Sequence, residues 1–189
     1  MKLLSVSTLI LASLSLNSFA YANDEQALKQ EAMSIVKQFG GSLKPQLVKA
    51  MKQGGPVHAI EICTEKAPAI AQKLSQDTGW TVKRVSLKSR NAKTAAPDAW
   101  EEKVLKDFDK QQASGAKVGK LTASSLKNGT FRFMKAQGVQ GVCLTCHGSN
   151  IKPNVRQALL KRYPNDNATG YSLGQVRGAF TLTKVLDEQ

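Results

Sequence analysis

The sequence predicts an α+β fold whose sheet is antiparallel. Three observations carry this. Apolar residues recur at helical spacing through the first half of the chain. Short stretches of strand character come mostly late and close together. The regular strand–helix alternation of a doubly wound sheet is missing. With 189 residues the chain is sized for one domain, and 41% apolar residues suffice for an ordinary core.

The amino terminus reads as an address. Met1 and Lys2 open it, Leu3 to Leu16 is apolar apart from Ser and Thr, and Ala20-Tyr21-Ala22 supplies small residues at a cleavage site. That is the layout of a secretory signal peptide, shorter than the roughly 20 residues of a spanning helix. Residues 1–22 are therefore set aside, and residues 23–189 form a single domain with no repeat or dividing linker. Cleavage after Ala22 removes Lys2 and leaves 26 basic against 14 acidic residues, a charge of +12. No second apolar stretch of membrane length follows. The expected location is a bacterial periplasm.

Leu28, Ala32, Ile35, Val36 and Phe39 make the first helical stripe after the acidic start Asp24-Glu25. Gly40-Gly41 loosens it, and Leu43, Leu47, Ala50 and Met51 resume it. Gly54-Gly55-Pro56 is a break. Ala59, Ile60, Cys63, Ala67, Ile70 and Leu74 form the next stripe; Pro68 should kink it or start a new helix, and Gly79 ends it. Thr81 to Leu87 reads as a strand and 88–97 as a polar loop. Asp98 caps a helix, with Glu101 as its capping-box partner and Trp100, Val104, Leu105 and Phe108 as its apolar face. Phe131 and Phe133, alternating with Arg132, mark a strand. Val155 to Leu160 is a short helix with Asn154 as cap, and Gly178 to Thr183 a last strand.

Composition narrows the function. Three cysteines and two histidines exclude a multihaem cytochrome, a disulfide-dense scaffold and a zinc array. Against that scarcity, Cys143-Leu144-Thr145-Cys146-His147 is the c-type haem attachment pattern, followed by Gly148. Two thiols two residues apart can each form a thioether to one vinyl group of the same porphyrin. The next residue, His147, is then placed to be the proximal iron ligand. A thioredoxin-like pair would open a long helix, but Gly148, Asn150 and Pro153 follow. A zinc ribbon needs a second pair, and a disulfide across two residues is strained.

His58, Cys63, Met33, Met51 and Met134 remain as candidates for the opposite axial position. His58 stands about 140° from Cys63 on a helix and has Glu61 and Glu65 as neighbours, so it faces water. Cys63 lies on the apolar stripe. Buried inert thiols and core methionines are common. An unpaired thiol in an oxidising compartment is a liability, which flags Cys63 while leaving the choice among these residues open. Among the cations, Lys83, Arg84, Lys88 and Arg90 are the candidates for the haem propionates. Trp100 and Tyr163 are candidate packing partners of the porphyrin, or simple core.

Several stretches together resemble a known family. They are Ala59-Ile60-Glu61-Ile62-Cys63 with Ala67-Pro68, Arg84 to Asn91, Pro97 to Glu101, Cys143 to Gly148, Tyr163 to Asp166, Ala168 to Tyr171, and Arg177-Gly178-Ala179. The chain is similar to the single-haem, PAS-like c-type cytochrome domain. That domain occurs alone in secreted proteins and in front of some histidine kinases and chemotaxis transducers. The resemblance covers nearly all of residues 24–185. It implies a PAS-like antiparallel sheet flanked by helices with one covalent haem c, and Cys63 as the axial ligand opposite His147. Gln175 departs from the family's usual Asp, and no kinase or transducer segment is attached.

A thiolate ligand favours ferric iron and a low potential, whereas methionine raises it. The expected function is a redox- or ligand-responsive binding module, in which Cys63 leaves on reduction and opens a site for NO or CO. The alternative is an electron-transfer cytochrome docking to an acidic redox or signalling partner by its positive charge. Catalysis is not expected, because only His58 is left to act as a distal histidine base. Nucleic acid is not an expected partner, since the cations are scattered without interleaved aromatics.

Overall fold

The computed structural model describes residues 13–186, with side chains from Asp24 onward. Of the expected leader, residues 1–12 lie outside them and residues 13–22 are described as backbone only, within the first helix. Helix α1 (Ser13–Thr78) is bent at Gly55, whose φ of 68° and ψ of −163° leave the helical region. Only glycine adopts such angles without penalty, and Pro56 has no N–H to continue the ladder. A side chain at Gly54 would stand 2.7 Å from His58 Cβ, so the bend needs both glycines. The helix runs unbroken through Gly40-Gly41 and through Pro68. The new helix or kink expected at Pro68 does not form. Pro68 itself is exposed. Gly79, at φ 73°, ends α1.

Strands β1 (Thr81–Val85), β2 (Thr122–Lys127), β3 (Thr130–Gly138) and β4 (Val176–Val185) form one sheet in the order β1-β4-β3-β2, antiparallel throughout. The α+β class with an antiparallel sheet flanked by helices is as expected. Strand β2 is an addition to the sequence reading. Its Thr-Ala-Ser-Ser-Leu-Lys run lacks an apolar face, and it lies at the sheet edge. Asn128 and Gly129 join it to β3 with φ of 50° and 67°, the positive pair that a tight hairpin turn demands.

Each sheet face has its own core. Phe131, Phe133, Phe180, Leu182 and Val82 pack with Trp80 against Ala32, Ile35, Phe39, Ala67 and Leu74 of α1. The opposite face sets Met134, Ala136, Ala179 and Val85 against Val104, Leu105 and Phe108 of helix α3 (Ala99–Ala113). Period-two alternation along β3 assigns its residues to these two layers. Phe131, Phe133 and Leu182 are all at most 2% exposed, and burying each such side chain is worth about 1.5–3 kcal/mol.

The expected capping box of α3 is present. The Glu101 N–H donates to Asp98 Oδ1 at 3.0 Å, and the Asp98 N–H to Glu101 Oε2 at 2.9 Å. Glu101 also accepts from Thr181 Oγ1 at 2.7 Å, tying α3 to β4. A short helix α2 (Ala92–Ala95) interrupts the expected polar loop, capped by Asn91. Helix α5 (Pro153–Arg162) starts with proline at its first position, so the cap is Lys152 and not the expected Asn154.

Two measurements test this packing. A β-carbon at Gly178 would lie 2.4 Å from Val85 O and 3.1 Å from Ser86 Cβ. Gly178→Ala is expected to destabilise by about 1–3 kcal/mol in denaturant unfolding, through the β1–β4 pair. Asp98→Ala is expected to cost about 1 kcal/mol. Partial burial opposes ionisation of Asp98, but the Glu101 N–H and Arg132 hold its carboxyl below the usual range. Its stabilisation is present above the unfolded value of about 3.9 and fades as pH falls through the lower folded one. The variant is therefore expected to lose part of the acid-side slope of a stability–pH curve.

Candidate functional site

Cys143 closes a 3₁₀ turn (Gly141–Cys143) that runs directly into helix α4 (Leu144–His147). Gly148 ends it by donating to Leu144 O at 2.9 Å. A β-carbon on Gly148 would meet that same oxygen at 2.7 Å, so glycine is required there. Cys143, Cys146 and Cys63 are all free thiols, each partly buried. The Cys-x-x-Cys pair is thus folded as two separate thiols and not as a disulfide.

Segment 166–171 fixes His147. The backbone N–H groups of Tyr171 and Gly170 donate to His147 O (2.9 Å) and Gly148 O (3.1 Å). His147 Nδ1 lies 2.7 Å from Ala168 O, an acceptor, so Nδ1 carries the proton in this contact and Nε2 is left as a free lone pair. Arg177 Nε lies 3.1 Å from the same Nδ1, and its Nη1 donates to Ser86 Oγ at 2.9 Å. Since Nδ1 has its proton turned to Ala168, Arg177 acts on the ring as a nearby positive charge. Burial first, then Arg177 and Arg90, push the imidazole down to about 2, which keeps it neutral and able to ligate.

Arg90 knits the site together. Its Nε donates to Asp166 Oδ2 at 3.1 Å, and its Nη2 donates to Cys146 O and, at 3.3 Å, to Ala168 O. Asp166 in turn accepts from the Ala168 N–H at 2.8 Å. One guanidinium therefore positions both the haem-motif helix and the carbonyl that orients His147.

Cys63 comes from the second arm of α1. Burial pushes its thiol up, and Arg84 and Arg90 pull it back. Burial likewise raises the Cys146 thiol, which responds to both Arg90 and Cys63. Cys63, Cys146, Arg84 and Arg90 therefore share one electrostatic environment. Packing supports this. Ile60 of α1 meets Ile151, Val155 and Leu159 with Cys146 against them, and Tyr163 donates to Thr64 Oγ1 at 2.9 Å.

The other candidates are distributed differently. His58 is part-exposed beside Glu61, with Nδ1 to Oε2 at 3.6 Å, as its helical phase requires. Met33 packs against the α1 layer, and Met134 is fully buried in the α3 layer. Arg84 stacks over Phe39 at 5.2 Å, on the α1 face of the sheet, while Lys83 is exposed. Lys88 reaches over Tyr171, with Nζ 4.6 Å from the ring centroid. Trp100 stacks on Arg132 at 4.3 Å, within the α3 layer. Arg177 and Asp166 are site residues that sequence reasoning left unassigned. The motif carried no signal for either, because both act across distant segments.

An imidazole nitrogen, a thiol on a neighbouring helix, and two further thiols at thioether spacing fit an iron porphyrin. Among the described residues no group of three or more His, Cys, Asp and Glu is arranged around a bare ion. The buried guanidiniums of Arg84 and Arg90 fit the carboxylates of such a group.

Asp166 is only 4% exposed, and its ion-pair partner Arg90 14%. Arg90→Ala strands that carboxylate, and a loss of about 3–5 kcal/mol is expected in urea unfolding. Arg90→Lys keeps the charge but not the fork, and is expected to recover only part of this.

A family model described as Tll0287-like matches residues 17–184. The crystal structure of the cyanobacterial haem-protein Tll0287 is similar, with a TM-score of 0.67 and 22% identity over 85% of this chain and 96% of that one. No curated protein matches the chain. With nearly its whole length matched, and with the sheet, helices and cysteine–histidine segment described above, the chain belongs to the Tll0287-like family.

Proposed function

We propose that the chain is an exported, periplasmic monohaem c-type protein that works as a redox- or small-ligand-responsive binding module and not as an enzyme. The observation that carries this is the free Nε2 of His147, set by Ala168 O, beside two unpaired thiols at haem-attachment spacing. The similar cyanobacterial structure is titled a haem protein, which supports haem binding here.

In this reading Cys143 and Cys146 hold the group by thioethers, and His147 ligates through Nε2. Cys63 would supply a second side-chain ligand, its thiolate opposed by burial and helped by Arg84 and Arg90. Bound haem supplies a one-electron iron couple, which thiolate ligation places at low potential. The residues do the rest. Ala168 O holds the proton on Nδ1, and Arg84 and Arg90 would neutralise the propionates, while Lys88 turns to Tyr171. With such a group bound and reduced by an external one-electron donor, Cys63 would be the residue to take a proton from solvent and let go, which would leave room for NO or CO and loosen the second arm of α1. Gly55 gives that arm a bend at which to move.

The test is optical and EPR spectroscopy of the exported protein. Wild type is expected to show a ferric low-spin thiolate signal that Cys63→Ala abolishes, and a Soret change when reduced protein meets CO. A reduced protein that ignores CO and keeps both ligands contradicts the switch and favours the electron carrier. For that alternative the charge of +12 would steer an acidic partner.

A further inference from the structure

Behind His147 lies a crevice that the haem reading does not use. It has a volume of about 300 Å³, between α3 and the segments after β1 and before β4. Its floor is buried: Leu105, Tyr171, Val176 and Ser86 are all at most 7% exposed. Its rim is polar and carries one charge of each sign, Asp109 from α3 and Lys88 from the segment after β1. Gln112 and Gln175 add amides.

Neither rim charge has an ion-pair or side-chain hydrogen-bond partner among the described residues. Asp109 differs in this from its helix neighbour Asp107, which pairs with Lys103 at 2.8 Å. Asp109 is exposed at the rim, and partial burial of its carboxyl pushes it up. Lys88 Nζ lies over Tyr171. Two unpaired opposite charges above an aromatic and aliphatic floor are complementary to a molecule that carries both charges itself. The volume is at the bottom of the range for small-molecule sites, which run from about 300 to 1,000 Å³.

We propose that this crevice binds a small zwitterion of α-amino-acid size, its ammonium on Asp109 and its carboxylate on Lys88, and that occupancy is felt at His147. The second half follows from the walls and rests on the haem reading. Tyr171 packs edge-on to His147 at 6.3 Å between centroids. Ser86, in the floor, holds the Arg177 guanidinium whose Nε stands 3.1 Å from His147 Nδ1. A ligand that draws Lys88 off the Tyr171 ring, or shifts Ser86, therefore changes the field at the proximal imidazole.

The test is calorimetric titration of the purified full-length protein with glycine, L-alanine and L-serine, against methylammonium and acetate as single-charge controls. Saturable binding of at least one amino acid is expected, at least tenfold tighter than either control. Asp109→Asn and Lys88→Gln are each expected to weaken it tenfold or more, and a Soret displacement should saturate at the same concentrations. No heat with any amino acid, or equal binding of methylammonium, overturns the site. Binding with an unmoved Soret band overturns the coupling to His147. Pigmented protein that binds nothing would end this inference and leave the haem reading intact. Colourless protein that binds an amino acid would keep the site but end the haem reading and, with it, the coupling to His147.

Discussion

The arrangement depends on one guanidinium. Arg90 joins three segments that are far apart in sequence: its own, after β1, the haem-motif helix through Cys146 O, and segment 166–171 through Asp166 and Ala168 O. Without it, the carbonyl that fixes the His147 tautomer loses its side-chain anchor, and segment 166–171 is left with the backbone bonds to His147, Gly148 and Ser89. The ion pair is nearly buried, a setting in which charge pairing gains strength only when hydrogen bonds satisfy the remaining atoms. Asp166 meets that condition by also accepting from the Ala168 backbone.

Positive charge at the site follows from the same logic. Arg84, Arg90 and Arg177 converge with one buried carboxylate, Asp166, among them. Burial disfavours the charge on Arg84 and Arg177, and such an excess is tolerable when an anionic group completes it. Two propionates and a thiolate supply that charge in the haem-bound reading. The same arginines push the His147 imidazole toward its neutral form and partly offset the burial that pushes the Cys63 thiol up.

Much of the fold was legible because its determinants are local. The stripes of α1, the Gly54-Gly55-Pro56 bend and the Asp98–Glu101 box each lie within a few residues. The Cys143-to-His147 motif was legible for the same reason, since its five residues are contiguous. Strand β2 was not, because an edge strand of small polar residues has no apolar alternation, although Asn128-Gly129 signalled its hairpin. The sheet order and the pairs Arg90–Asp166 and Arg177–His147 bring distant segments together, and no local pattern encodes them. Of the cations taken as propionate partners, Arg84 and Arg90 act on the Cys63 region, and Lys88 turns to Tyr171.

Intact mass measurement of the exported, fully denatured protein tests the central claim most directly. The account predicts a mass greater than the polypeptide by one haem, retained in denaturant and carried on the peptide that contains Cys143 and Cys146. A bare polypeptide mass lowered by two hydrogens, with Cys143 and Cys146 bridged to each other, would contradict it.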